Sequence, residues 1–566
     1  MPTIVRMLCF VELMALCILA SAGAQQPGPG VVISSGALEG LRLPALPRGG
    51  AFLGIPFAAQ PVGNLRWKAP QPPLPWKGAR KASAYGPACP QFPSPWLPEM
   101  AGVQQIATDE ACLSLNVWTP DLHATTKLPV FVWIHGGGNV EGSADWPPLG
   151  ETLAERGVVV VSLHYRLGPL GFLAGPWLAS ESPHHVSGNY GQLDQLAALR
   201  WVQRNIASFG GDPSRVTIGG QSSGALDVCN LMASPVAAGL FEQAVLESGV
   251  CVDSVYPDAH PAEVNGLRLA KDLGIPSGPQ ALKALRAVPA ERILQAAKAD
   301  PDLDLEPVVD GWVLPRQSAI VFAEGKEVHI PVLVGSTENE VSIFASPIVG
   351  GKSRRPDTVE AYRQWLERRF KSQANDVFAA YPAHADGDAL RVFEQMDTDF
   401  DFGFGAWLLA NDTARLGQKA FLYHFTYAGT AEFAPLGAFH SEELMFLSRK
   451  YWTSWIARPY DKVLSDAIVG YWVRFIETGN PNGPNLPAWP AWHSDGECQE
   501  LGTRIGPERV PRAQRFTVFQ QYLTSRFIKA SAIIVVTANR PKHGATPAAE
   551  NMLKLLTVEH RDRPAS

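Results

Sequence analysis

Four short runs of β-branched and other apolar residues constrain this chain more than any other feature: Pro129–Ile134, Val158–Leu163, Val216–Ile218 and Pro331–Val334. None alternates with polar residues, so a strand made from any of them is apolar on both faces and needs cover on both. Helical patterns supply that cover. Gln192–Ile206 carries Leu193, Leu196, Ala197, Leu199, Trp201 and Val202 on a mainly apolar face. Ala281–Ala287, Pro289–Ala297, Val359–Arg369 and Leu464–Glu477 are further helices, with Pro289 placed to start one. Continuous apolar strands alternating with helices predict an α/β fold: a large, mostly parallel central sheet flanked by helices.

Composition narrows the function. With 46% hydrophobic and 18% charged residues, the chain can bury a large core. A net charge of −6 argues against a nucleic-acid partner, which calls for a basic face. The sequence has no Cys-x-x-Cys, no His-Glu-x-x-His and no Gly-x-x-x-x-Gly-Lys-Ser/Thr, so zinc ribbons, zincins and P-loops are excluded and no cofactor is expected. His184-His185 reads as solvated loop rather than a metal pair. The 51 glycines and 48 prolines imply long loop insertions between the regular elements.

The two ends differ from the middle. Residues 1–24 read as a secretory signal peptide: Arg6 begins it, Met7–Ala20 is mostly apolar, and Ala22-Gly23-Ala24 precedes Gln25. That apolar run is too short to span a bilayer and is broken by Glu12, so no stable membrane anchor is expected. Export to the periplasm or the extracellular space follows. Two of the seven cysteines leave with the signal, and the odd remainder leaves at least one thiol free or paired between chains. Residues 530–566 read as a C-terminal extension, to which the sequence assigns no role. Asn411-Asp412-Thr413 is a formal glycosylation sequon.

Two glycine-rich turns carry the chemistry. Gly220-Gln221-Ser222-Ser223-Gly224 fits Gly-x-Ser-x-Gly, after the strand Val216–Ile218 and before the helical stretch Ala225–Met232. In that setting the turn is sharp, and side chains at the glycine positions would strike the neighbouring strand and helix. Ser222 then projects above the strand ends at a helix N-terminus, where a developing anion is favoured. The second turn, His135-Gly136-Gly137-Gly138-Asn139, follows the strand Pro129–Ile134. Its glycines can aim backbone N–H groups at an oxyanion, together with the amide of Ser223. A serine hydroxyl needs a base and the base an orienting acid, but spacing alone does not choose one histidine among thirteen.

Here a resemblance adds to the reading. The chain resembles the type-B carboxylesterases over about Val31 to Trp492. The matching motifs include Phe52-Leu53-Gly54-Ile55-Pro56-Phe57-Ala58, Asn64-Leu65-Arg66-Trp67, Glu110-Ala111-Cys112-Leu113-Ser114, Tyr165-Arg166-Leu167-Gly168 and Phe209-Gly210-Gly211-Asp212-Pro213. The resemblance implies an α/β-hydrolase fold over residues 25–529 and a small-molecule ester as substrate, with oligomeric state left open. It implies Ser222 as nucleophile, His440 as base and Glu340 as acid, with Glu338 the rival acid, and an oxyanion hole of Gly137, Gly138 and Ser223. It also favours a Cys89–Cys112 disulfide closing a Pro-rich loop, in which Trp96, Pro98 and Met100 either form an apolar wall over the site or only pack the loop itself. Cys229 and Cys251 are not expected to pair, although the sequence leaves this undecided, and Cys498 is expected free. Gln221 departs from the family's usual Glu, which weakens a choline-ester reading. The competing readings are a lipase, a feruloyl-type esterase, or a catalytically silent recognition domain of the same fold.

Overall fold

The computed structural model describes residues 27–92, 106–252, 259–346, 355–429, 431–449, 458–493 and 496–526. The predicted signal peptide, the extension 530–566 and the Trp96, Pro98 and Met100 wall lie outside the described residues. The strands, in chain order, are β1 (Gly30–Ile33), β2 (Gly36–Glu39), β3 (Gly50–Pro56), β4 (Ala79–Lys81), β5 (Ser114–Thr119), β6 (Leu128–Ile134), β7 (Val159–Leu163), β8 (Gly211–Gln221), β9 (Gln243–Glu247), β10 (Val332–Thr337), β11 (Ala420–Phe425), β12 (Glu497–Leu501) and β13 (Ile505–Arg509).

Ten of these form one sheet in the order β13-β12-β11-β10-β9-β8-β6-β7-β5-β3. From β7 through β12 all neighbours run parallel, while β3, β5 and β13 pair antiparallel at the two edges. The sequence-predicted runs occupy its centre. Strand β6 illustrates why they are apolar throughout. Val130, Val132 and Ile134 enter one core, and Phe131 and Trp133 enter another across the sheet. A strand alternates its side chains between faces, so two buried faces demand an unbroken apolar run.

Helices cover both faces. α1 (Tyr190–Asn205) and α2 (Ser223–Ala233) bury Leu196, Leu199, Val202, Val228 and Leu231 in the first core. α3 (Pro459–Thr478) buries Leu464, Ile468, Tyr471, Trp472 and Phe475 in the second. α3 starts five residues before its sequence-predicted start because Pro459 is at its first turn, where a missing N–H costs nothing. Pro289 instead lies just outside its helix, which begins at Ala290.

Two disulfides are present, Cys89–Cys112 and Cys229–Cys251. The second departs from the sequence expectation. Cys229 lies on α2 and Cys251 follows β9, and helix packing brings their Cα atoms to 5.5 Å. Cys498 is free and buried in β12. The sequon residue Asn411 sits inside the helix Phe404–Arg415; its amide donates to the Trp407 carbonyl and accepts from Trp492 Nε1, which disfavours a glycan there. Among the described residues, no helix is long and apolar enough to cross a membrane.

Candidate active site

The turn between β8 and α2 holds Ser222 at φ 58°, ψ −131°, a strained conformation for a residue with a side chain. Its N–H donates to the Glu247 carbonyl of β9 at 2.8 Å, which fixes the turn to the sheet. The flanking glycines are required by contact. A Cβ on Gly224 would come within 2.2 Å of the Ile134 carbonyl oxygen, and one on Gly220 within 2.5 Å of the Gly224 backbone. Ser222 remains partly exposed while Gln221 and Ser223 on either side are buried.

Beside it, β6 ends in the glycine loop. Gly137, Gly138 and Asn139 have φ values of 111°, 62° and 57°. This succession of left-handed residues turns the loop back on itself. The N–H groups of Gly137 and Gly138 pair with no acceptor among the described residues. Ser223 opens α2, so its N–H has no carbonyl one turn back to bond.

His440 and Glu340 meet across 100 residues of chain: Nδ1 lies 2.5 Å from the Glu340 carboxylate, and both side chains are buried. The second carboxylate oxygen of Glu340 accepts from the Thr337 N–H at 2.7 Å. Glu340 comes three residues after the end of β10. His440 comes fifteen residues after the end of β11, and its segment is tied to the segment carrying Glu340 by the Asn339 N–H donating to the Ala438 carbonyl at 2.9 Å. With Nδ1–H given to the carboxylate, Nε2 carries the lone pair. Its partner is the Gln221 amide nitrogen at 3.0 Å. Ser222 makes no hydrogen bond to His440 among the described contacts; the amide of the preceding residue stands at Nε2 instead. The rings of Phe344 and Phe402 flank the imidazole, 5.2 and 5.1 Å from it.

Glu338, the rival acid, faces elsewhere. It accepts from His424 Nε2 at 2.7 Å and from Arg512 at 3.4 Å. His135 and His164 are fully buried, and burial holds them neutral, down to about 3 and about 4. His184 stacks on Trp312 at 3.7 Å, and the described residues hold no cluster of three or more metal-ligating side chains.

Among the buried carboxylates behind the site that sequence reasoning missed are Glu247 and Glu443. Glu247 accepts from Trp472 Nε1 at 2.9 Å, and burial pushes its carboxyl up to about 8. Glu443 accepts from the Ser248 hydroxyl at 3.4 Å and is pushed upward by burial and by Glu247 and Glu340. Nothing local in the sequence separates these from solvated glutamates. The only signal is that each sits beside a site motif, Glu247 at the end of β9 and Glu443 three residues after His440.

Comparison with known proteins agrees in family and fold. The fumonisin B1 esterase of Sphingopyxis macrogoltabida is 36% identical over 496 residues, covering 85% of this chain and 88% of its own. The para-nitrobenzyl esterase of Bacillus subtilis is 35% identical, covering 82% and 93%. A solved PNB esterase structure superposes with a TM-score of 0.73 at 32% identity, covering 87% of this chain and 99% of that one. The fold is therefore the α/β-hydrolase fold. The Carboxylesterase family profile matches residues 27–519, and with these relatives alongside it the chain belongs to that family and is a carboxylic ester hydrolase.

Proposed function

We propose that the chain hydrolyses esters through an acyl-enzyme on Ser222, with His440 as base and Glu340 as orienting acid. The single observation that carries this reading is the 2.5 Å contact of His440 Nδ1 with Glu340, which leaves Nε2 as acceptor next to the elbow. For acylation, the Gln221 amide gives up Nε2 to the Ser222 hydroxyl. His440 takes that proton as Ser222 Oγ attacks the ester carbonyl, and Glu340 stabilises the imidazolium. The N–H groups of Gly137, Gly138 and Ser223 hold the oxyanion; one such donor is worth about 3 kcal/mol in a comparable site. The imidazolium then protonates the leaving alcohol. Water attacks the acyl-enzyme with His440 again as base, and Ser222 is regenerated.

Phe344 and Phe402 beside His440 favour esters with an apolar or aromatic group near the leaving oxygen. This keeps an aryl-ester esterase ahead of a lipase, and the serine with its acid–base pair argues against a silent recognition domain. Residues 25–529 form the hydrolase unit in this reading. Residues 1–24 direct export, a reading favoured by the two disulfides, which persist in oxidising compartments. Ser222→Ala should lower kcat on p-nitrophenyl butyrate by roughly four powers of ten or more. Wild-type-like turnover by that variant rejects the assignment.

A further inference from the structure

The oxyanion loop is held by a polar assembly that the reaction itself does not use. Asn139 follows Gly137 and Gly138, the glycines assigned to the oxyanion hole in the acyl-enzyme reading, and each of its polar groups is engaged. Its N–H donates to the Ser223 hydroxyl at 3.1 Å and its side-chain nitrogen to Asp227 at 3.3 Å. Its side-chain oxygen accepts from the Tyr165 hydroxyl at 3.1 Å, and its carbonyl accepts from the Gly168 N–H at 2.7 Å. Ser223 and Asp227 are four residues apart on α2, one turn, so both anchors lie on one helix face. The same Tyr165 hydroxyl lies 2.8 Å from the His135 carbonyl, so its one proton is shared between the two oxygens and ties both ends of the loop to one side chain.

Asp227 is the unusual member. It is fully buried, and no cation pairs with it among the described residues. Its second oxygen accepts from Gln195 Nε2 on α1 at 2.6 Å. Burial pushes its carboxyl up to about 7, against the pull of the Gln195 and Asn139 donors. A buried carboxylate without a counter-ion is costly, and a neutral side chain would fill the same space at lower cost. Its placement directly behind the elbow, bonded to the residue after the glycines, gives that cost a purpose.

We propose that Asp227 is a positioning residue that acts through Asn139, bracing the oxyanion-binding amides of Gly137 and Gly138 against the elbow helix. This rests on the acyl-enzyme reading above, because it assumes those amides meet the oxyanion. Without the brace the loop relaxes from a geometry it reaches only through three consecutive left-handed residues. The loss then falls on the transition state rather than on substrate binding.

The test compares Asp227→Ala, Asp227→Asn, Asn139→Ala and the Asp227→Ala/Asn139→Ala pair with wild type in the full chain. The readouts are kcat and KM on p-nitrophenyl butyrate and the affinity of an aryl trifluoromethyl ketone, which mimics the tetrahedral adduct. The number of active sites is titrated so that misfolded protein is not counted. For Asp227→Ala we expect kcat to fall about 10- to 100-fold with KM within about twofold, and ketone affinity to fall by the same factor. The double variant should be no worse than Asp227→Ala alone. Asp227→Asn should retain more activity, because the Gln195 amide can turn its free oxygen toward the new donor. If Asp227→Ala does not fold, Asn139→Ala alone must show the matched loss of kcat and ketone affinity. A lowered melting temperature with kcat per titrated site and ketone affinity unchanged overturns the brace. An inactive Ser222→Ala alongside a normal Asp227→Ala sinks the brace alone, whereas an active Ser222→Ala sinks the acyl-enzyme reading with it.

Discussion

Two glutamate–histidine pairs grow from the same two strand ends and have opposite fates. Glu338 and Glu340 follow β10 two residues apart; His424 lies on β11 and His440 beyond it. His424 is clamped between two carboxylates, Glu338 at 2.7 Å and Glu508 at 2.8 Å. Burial alone would lower it, but the two carboxylates outweigh burial and push it up to about 9. Arg512 extends this cluster, bonding Glu338 and, through two nitrogens, the buried Asp399. His440 has one carboxylate on one nitrogen and a neutral amide on the other. The difference teaches what separates a structural histidine from a candidate base. Two carboxylates saturate both ring nitrogens and fix the charge, while one carboxylate sets the tautomer and leaves a lone pair for chemistry.

The sharpest way to break the comparison is to remove each acid. Glu340→Ala should lower kcat by about three to four powers of ten, and Glu338→Gln should leave kcat within about tenfold. Steady-state kinetics on a p-nitrophenyl ester decides this, and the reverse pattern would exchange the two roles.

Next in size is the effect of His424 on stability. Its charged form is favoured in the folded state, because the folded value, about 9, lies above the ordinary 6.5. Its contribution is therefore complete below about pH 6.5 and is lost as pH rises through about 9, on the order of 3 kcal/mol in all. Urea unfolding of wild type should show this alkaline loss. His424→Gln should be less stable at pH 6 and should approach wild type by pH 10. Parallel stability curves for the two proteins would refute the clamp.

Smaller still is the effect of the amide at His440. Gln221→Glu places a carboxylate 3 Å or so from Nε2, which favours the imidazolium by roughly tenfold. The acid limb of the kcat/KM profile should move about one pH unit higher, and an unmoved limb would show that Gln221 does not face His440 in solution.

The two sides of the site were unequally legible. The elbow and the glycine loop are written locally as glycine motifs: a Cβ at Gly224 would strike the Ile134 carbonyl, and Gly137 sits at φ 111°, where a side chain is strained. The side carrying the proposed base is not. Glu338 and Glu340 share the same parity, so strand alternation does not separate them. They part because the chain turns into a 3-10 helix at Glu340, which aims that carboxylate inward. His440 stands fifteen residues past β11, where no local period reaches, and its place depends on the Asn339–Ala438 backbone contact. The same limit explains Cys229–Cys251, because the sequence does not reveal how closely α2 passes the end of β9.

By itself, the sequence determined a sheet buried on both faces, a serine held on a sharp turn and a loop able to present amides, because each follows from what neighbouring residues permit the backbone to do. Only the tertiary structure decided which histidine receives one carboxylate and which receives two, that Gln221 meets His440 Nε2, and that Asp227 lies buried without a cation among the described residues. These depend on distances between segments far apart in the chain, and such distances are set by helix and strand packing rather than by local conformational preference.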